Sequence, residues 1–197
     1  MFRPSNGVGG GVCVWLTGRS GAGKTTLVRA FIPLLEANDR AYTLLDTVPA
    51  LAKHWSERSS ENKLMRKAYV ASEVVRHGGI AICVTVSARE DVRAAARALV
   101  GSENFVEVFV DTPPEVAAAR KAGRGRRTPL AKRLRAGLRR AIRRGTGSDA
   151  SYDVPASPDV TVDGSKSAPD DCARQVFDVL VARGFIVPAQ LSSAILI

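Results

Sequence analysis

An apolar run, Val12 to Thr17 (VCVWLT), leads directly into Gly18-Arg19-Ser20-Gly21-Ala22-Gly23-Lys24-Thr25, and a helical pattern follows from 24 to 37. A glycine-rich turn held between a buried strand and a helix leaves a chain few ways to fold. The spacing GxxxxGK[ST] lets the backbone wrap a row of phosphates, and N–H groups at a helix N-terminus favour anionic oxygens. On this reading Gly18, Ser20, Gly21, Ala22, Gly23 and Thr26 form the cradle. Lys24 reaches the β- and γ-phosphates and the Thr25 hydroxyl binds Mg²⁺. The implied ligands are ATP and Mg²⁺, but the loop alone would serve a GTPase, a motor ATPase or a small-molecule kinase equally well.

Strand-length apolar runs alternate with helical patterns along the rest of the chain, the signature of a parallel sheet with crossover helices. Strands are predicted at 12–17, 41–45, 80–86, 105–110 and 159–162, and helices at 24–37, 61–77, 88–99, 113–122 and 169–183. Several strands are apolar nearly throughout, as strands covered on both faces must be. The expected fold is α/β: a five-stranded parallel sheet with helices on both faces. Ligands of such sheets bind outside the carboxyl ends of the strands. That directs attention to Gly18–Thr25, Asp46, Ser87 and Asp111.

At 197 residues the chain suits one core rather than two. The expected organisation is a flexible N-terminus at 1–10, one domain at 11–184 and an apolar tail at 185–197. The first ten residues lack the apolar run of a secretory signal, and no later run has the ~18 residues of a membrane span. A cytoplasmic protein without membrane association is therefore expected. Cys13, Cys83 and Cys172 are odd in number and widely spaced, which points to reduced, buried thiols.

The formal charge of +10 would raise nucleic-acid binding if it were spread over the surface, yet twelve of the 29 Lys and Arg lie between Arg120 and Arg144. No acid occurs between Glu115 and Asp149. Within this stretch Thr128-Pro129 resembles a helix start, and Leu130, Leu134, Leu138 and Ile142 recur every fourth residue. Gly123, Gly125, Gly145 and Gly147 flank it as candidate hinges. An Arg-rich lid over 123–147 is the expectation, and nucleic acid is an improbable partner. No guanine-reading NKxD pattern is present. A lid of arginines suits a small-molecule kinase, where guanidinium groups neutralise the transferred phosphoryl group.

Three segments carry a family resemblance. VWLTGRSGAGKTTL at 14–27, FVEVFVDTPPEV at 105–116, and Thr146-Gly147-Ser148-Asp149 followed by Tyr152-Asp153-Val154-Pro155 resemble the corresponding segments of the adenylylsulfate (APS) kinases, over roughly Gly11 to Gly184. The resemblance implies a P-loop fold, ATP with Mg²⁺ and phosphoryl transfer to an alcohol. It also implies a functional acid at Asp46, an adenine-side arginine at Arg120 and a dimer. Of the lid arginines, Arg139, Arg140, Arg143 and Arg144 lie nearest the Thr146-Gly147 turn and are the candidates for phosphate contacts.

The family's acceptor motifs match less well. DGDxxR corresponds to Asp46-Thr47-Val48-Pro49-Ala50-Leu51, NIRR to Lys63-Leu64-Met65-Arg66, ISPYR to Val86-Ser87-Ala88-Arg89-Glu90, and KNFTG to Arg143-Arg144-Gly145-Thr146-Gly147. Lost stacking on an aromatic ring costs ~1–3 kcal/mol, and each lost charge-assisted hydrogen bond about 1.5–3 kcal/mol. The leading expectation is therefore a kinase whose acceptor differs from adenylylsulfate, such as an amino acid or amino sugar. The alternatives are a working adenylylsulfate kinase and a non-catalytic, nucleotide-gated module that grips nucleic acid. Candidate catalytic residues are Lys24, Asp46, Arg140 and Arg143. Asp46, Lys63, Arg66, Tyr69 and Ser87 are candidates for the acceptor, and Thr25 and Asp46 for the metal.

Overall fold

The computed structural model describes residues 9–46, 60–124 and 151–188. Five strands, β1 (Val12–Thr17), β2 (Tyr42–Leu45), β3 (Ile80–Val84), β4 (Phe105–Asp111) and β5 (Val160–Asp163), form one sheet in the order β2-β3-β1-β4-β5. Every pairing is parallel, as the apolar runs predict. The helices are α1 (Lys24–Glu36), α2 (Ser60–Arg76), α3 (Glu90–Val100), α4 (Pro114–Arg124) and α5 (Pro169–Ala182). A short 3₁₀ turn, Ser102–Asn104, leads into β4.

Alternate residues of one strand supply opposite faces of the sheet, so β1 feeds two cores. Val12, Val14 and Leu16 pack with Leu27, Val28 and Phe31 of α1 and with Val176, Phe177 and Leu180 of α5. Cys13 and Trp15 pack on the other face with Ala68 and Ala71 of α2 and Ala96 of α3. Along β1 both layers are apolar up to Thr17, and the strand is buried at all six positions. Phe185 and Ile186, at the start of the expected tail, are buried in the first of these cores. The three cysteines are free and buried.

Two boundaries differ from the sequence expectation for one reason. β3 stops at Val84 rather than 86 and α3 starts at Glu90 rather than 88. Ser87 takes φ 33°, a left-handed backbone that no strand or helix continues through. The predicted Arg-rich helix lies outside the described residues. No described helix is long and apolar enough to cross a membrane.

β1 lies between β3 and β4, and the chain crosses over it in passing from β3 to β4. Sites of α/β sheets form at such reversals, beyond the carboxyl ends of the strands. The glycine-rich loop occupies that point.

Candidate active site

The loop leaves β1 at Thr17 and closes into α1 at Lys24. Gly21, at φ 96°, passes so near α4 that a Cβ there would stand 2.2 Å from the Ala117 carbonyl oxygen. Gly18, at φ 141°, has the Val110 carbonyl at 2.7 Å from the same hypothetical atom. These two positions therefore require glycine for space as well as for conformation. The turn is closed by Ala22 N–H donating to the Arg19 carbonyl at 3.0 Å.

Among the described residues no side chain caps α1, and its first turn holds no acid. The N–H groups at that end are thus left to an anion. Lys24 is 92% buried, and its Nζ donates to the carbonyls of Gly18 at 2.6 Å and Arg19 at 2.9 Å. Those bonds hold the ammonium across the mouth of the loop, where an incoming phosphate would meet a fixed positive charge.

Two pockets flank the loop and share Gly21 and Gly23. One, of ≈ 220 Å³, is lined by Ser20, Lys24, Thr25, Asp46 and the Val84–Val86 segment. It unites the ends of β1, β2 and β3. The other, of ≈ 200 Å³, is lined by Thr26, Leu27, Arg120, Val162, Gly164 and Cys172, among others. Arg120 donates from Nη1 to the Gly164 carbonyl at 2.6 Å, which fixes its planar guanidinium at the edge of this second pocket. An apolar slot with a pinned guanidinium suits a flat heteroaromatic base.

Of the expected acceptor residues, Asp46 stands in the first pocket with Lys24 and Thr25, and its neighbours on α2 do not. Lys63 is exposed, Tyr69 is 59% exposed, and neither they nor Arg66 are among the residues lining that pocket. Ser87 lies beneath it, only 2% exposed. Its hydroxyl accepts from Trp15 Nε1 at 3.2 Å and donates to Thr17 Oγ1 at 2.9 Å. Its proton and one of its two acceptor lone pairs are thus engaged within the protein. Arg139, Arg140, Arg143, Arg144 and Thr146 lie outside the described residues.

Two features of the site escaped the sequence reading. Thr17 Oγ1 donates to the Val86 carbonyl at 2.9 Å, so the Tyr152 hydroxyl, 2.8 Å away, donates to Thr17. The Tyr152 ring stacks on Phe109 at 6.1 Å and lies 5.4 Å beneath the Arg19 guanidinium. Burial, only partly offset by the Thr17 bond, pushes its phenol up to about 12, so it stays a donor at any physiological pH. Asp153 continues the anchor: its carbonyl accepts from Arg93 Nη2 at 2.8 Å. The second feature is Lys67 of α2, whose Nζ donates to the carbonyls of Asp46 and Val84, both at 2.8 Å. Nothing in the helical pattern around Lys67 distinguishes it from a solvated lysine.

The donor set fits a nucleoside triphosphate with Mg²⁺. Mg²⁺ keeps several waters and takes one or two protein oxygens beside substrate phosphates, and Thr25 and Asp46 offer such oxygens in one pocket. A parallel α/β sheet with this loop at its reversal point and two pockets astride it defines a P-loop nucleotide-binding kinase fold.

The family profile described as "Adenylylsulphate kinase" matches residues 10–163. The adenylyl-sulfate kinase of a Synechococcus strain is 34% identical over 182 residues, covering 89% of this chain and 98% of that protein. That of Pseudomonas aeruginosa is 33% identical over 172 residues, covering 85% and 84%. Among solved structures, the Mycobacterium tuberculosis APS kinase in complex with AMPPNP and APS superposes with a TM-score of 0.68 at 28% identity, covering 88% of this chain and 99% of that one.

The chain belongs to the adenylylsulfate kinase family. It is an ATP-dependent phosphotransferase with an alcohol group as acceptor, and its cosubstrate is ATP with Mg²⁺. These matches favour adenylylsulfate over the different acceptor that the diverged motifs led us to expect.

Proposed function

We propose that the protein transfers the γ-phosphate of ATP to adenylylsulfate, making 3′-phosphoadenylylsulfate. The observation that carries this reading is one pocket holding Lys24, Thr25 and Asp46, in a chain aligned nearly end to end with proteins named adenylyl-sulfate kinases. The α1 N-terminus and the loop amides bind the phosphate chain. Lys24 stabilises the charge that spreads over the transferred group. Arg120 holds the base of ATP in the second pocket.

Asp46 faces the acceptor side and orients its hydroxyl, accepting the proton as the oxygen attacks phosphorus in line. Thr25 and Asp46 would hold Mg²⁺, which when bound would supply charge neutralisation to the phosphates. The lid arginines Arg139, Arg140, Arg143 and Arg144, with Thr146, belong to this proposal as contacts that close over the phosphates. Lys63, Arg66 and Tyr69 belong to it as contacts to the far end of the acceptor.

A second reading, an amine-bearing alcohol as acceptor, draws support from the changed motifs. The guanidinium of Arg89 is engaged by Glu61 at 2.9 Å and by Asp91, so in this arrangement it offers little to an anionic acceptor. Thermal shifts separate the two. A ligand at one hundred times its Kd stabilises by about 2.7 kcal/mol. Adenylylsulfate should raise the melting temperature above that with ADP–Mg²⁺ alone. No added shift with adenylylsulfate, together with one from an amino acid or amino sugar, would transfer the proposal to the second reading.

A further inference from the structure

β2 is the edge strand of the sheet, four residues long and paired on one side only, to β3. Its ladder ends at Leu45↔Cys83. The next residues, Asp46 and Val84, lie one step beyond the last paired position of the β2–β3 ladder. A short edge strand is a poor mount for a group that must be placed within a fraction of an ångström. Asp46 is nonetheless the carboxylate of the phosphate pocket.

The side chain of Lys67 crosses this gap. Its ammonium donates to the Asp46 carbonyl at 2.8 Å and to the Val84 carbonyl at 2.8 Å, continuing the β2–β3 ladder by one rung with charge-assisted bonds. Val84 belongs to β3, which pairs with β1 through Leu16, two residues before the loop. A continuous path of hydrogen bonds thus runs from the loop, through β1 and β3, to Lys67 and the backbone of Asp46. Lys67 is half-buried and commits its ammonium to these two carbonyls, unlike a lysine serving a solvated helix face.

We infer that Lys67 is a positioning residue for phosphoryl transfer: its ammonium ties the Asp46 backbone to β3 and so sets the Asp46 carboxylate against the loop. The inference rests on the role proposed above for Asp46. It assigns Lys67 no contact with either substrate.

The test is a double-mutant cycle of Lys67→Met and Asp46→Asn in the full chain, read as kcat and KM in coupled ADP release with adenylylsulfate as acceptor. Lys67→Met should lower kcat about 10- to 100-fold and change KM for ATP less than threefold. In the Asp46→Asn background the same change should cost less than about twofold, because the carboxylate being positioned is already gone. Thermal unfolding confirms that each variant is folded. If Lys67→Met does not fold, Lys67→Gln, which keeps one amide donor, replaces it in the same cycle with a smaller expected loss.

An equal loss of kcat in both backgrounds would overturn the positioning role while leaving Asp46 in place. An unchanged kcat for Lys67→Met would overturn it as well. Asp46→Asn with wild-type kcat would fail the reading of Asp46 itself, and with it this inference.

Discussion

The two sides of the phosphate loop are built by different means. The nucleotide side consists of backbone: left-handed glycines, the open end of α1, and carbonyls that pin Lys24 and Arg120. The side proposed for the acceptor gathers side chains and strand ends from β2 and β3, with the Asp46 backbone tied to β3 by Lys67 of α2. Backbone geometry tolerates little change, since a single Cβ at Gly21 would meet a carbonyl at 2.2 Å. A side-chain pocket can alter one residue at a time without disturbing the fold.

The contrast can be broken experimentally. Lys24→Ala removes the fixed charge at the loop mouth and should lower kcat/KM about 10²- to 10³-fold or more. Asp46→Asn should lower kcat about 10²-fold while leaving the Kd for ADP within a few-fold, measured by calorimetry in Mg²⁺. If Asp46→Asn weakened ADP as strongly as Lys24→Ala, the two sides would not be separable. Arg120→Ala should raise the Kd for ADP about tenfold and leave the KM for the acceptor nearly unchanged. A larger effect on the acceptor would place Arg120 on the wrong side of the division.

Smaller effects sharpen the supports beneath the site. Tyr152→Phe deletes one donor to Thr17 and should cost about 1 kcal/mol of stability, read by denaturant unfolding. Asp159 provides a pH signature. Burial opposes its ionisation, but bonds from Glu107 N–H, Arg97 and Arg183 hold its carboxyl below the ordinary 3.8. A depressed folded pKa means its contribution is complete above about pH 4 and fades as pH falls through the lower folded value. Asp159→Asn should therefore cost about 1–3 kcal/mol at neutral pH and flatten the loss of stability on acidification.

The same division explains what the sequence could disclose. Strand runs that are apolar nearly throughout, such as 12–17 and 105–110, alternating with helical patterns, announced a parallel sheet covered on both faces. The loop was legible because its spacing is dictated by glycine geometry. Asp46 was legible from its place after a strand. Lys67 was not: it lies mid-helix, and only the third dimension shows that its reach ends on two carbonyls 17 and 21 positions away in sequence. The partners of Ser87 were hidden for the complementary reason. A serine closing a strand looks available, and its partners Trp15 and Thr17 come from β1, some seventy positions earlier.

The most direct measurement is coupled ADP release from ATP–Mg²⁺, with adenylylsulfate compared against amino acids, amino sugars and other small alcohols, and with Lys24→Ala as the blank. The account predicts that kcat/KM for adenylylsulfate exceeds that for every other acceptor by at least about 10²-fold, a difference near 2.7 kcal/mol in transition-state stabilisation. An amine-bearing alcohol turning over faster than adenylylsulfate would contradict it.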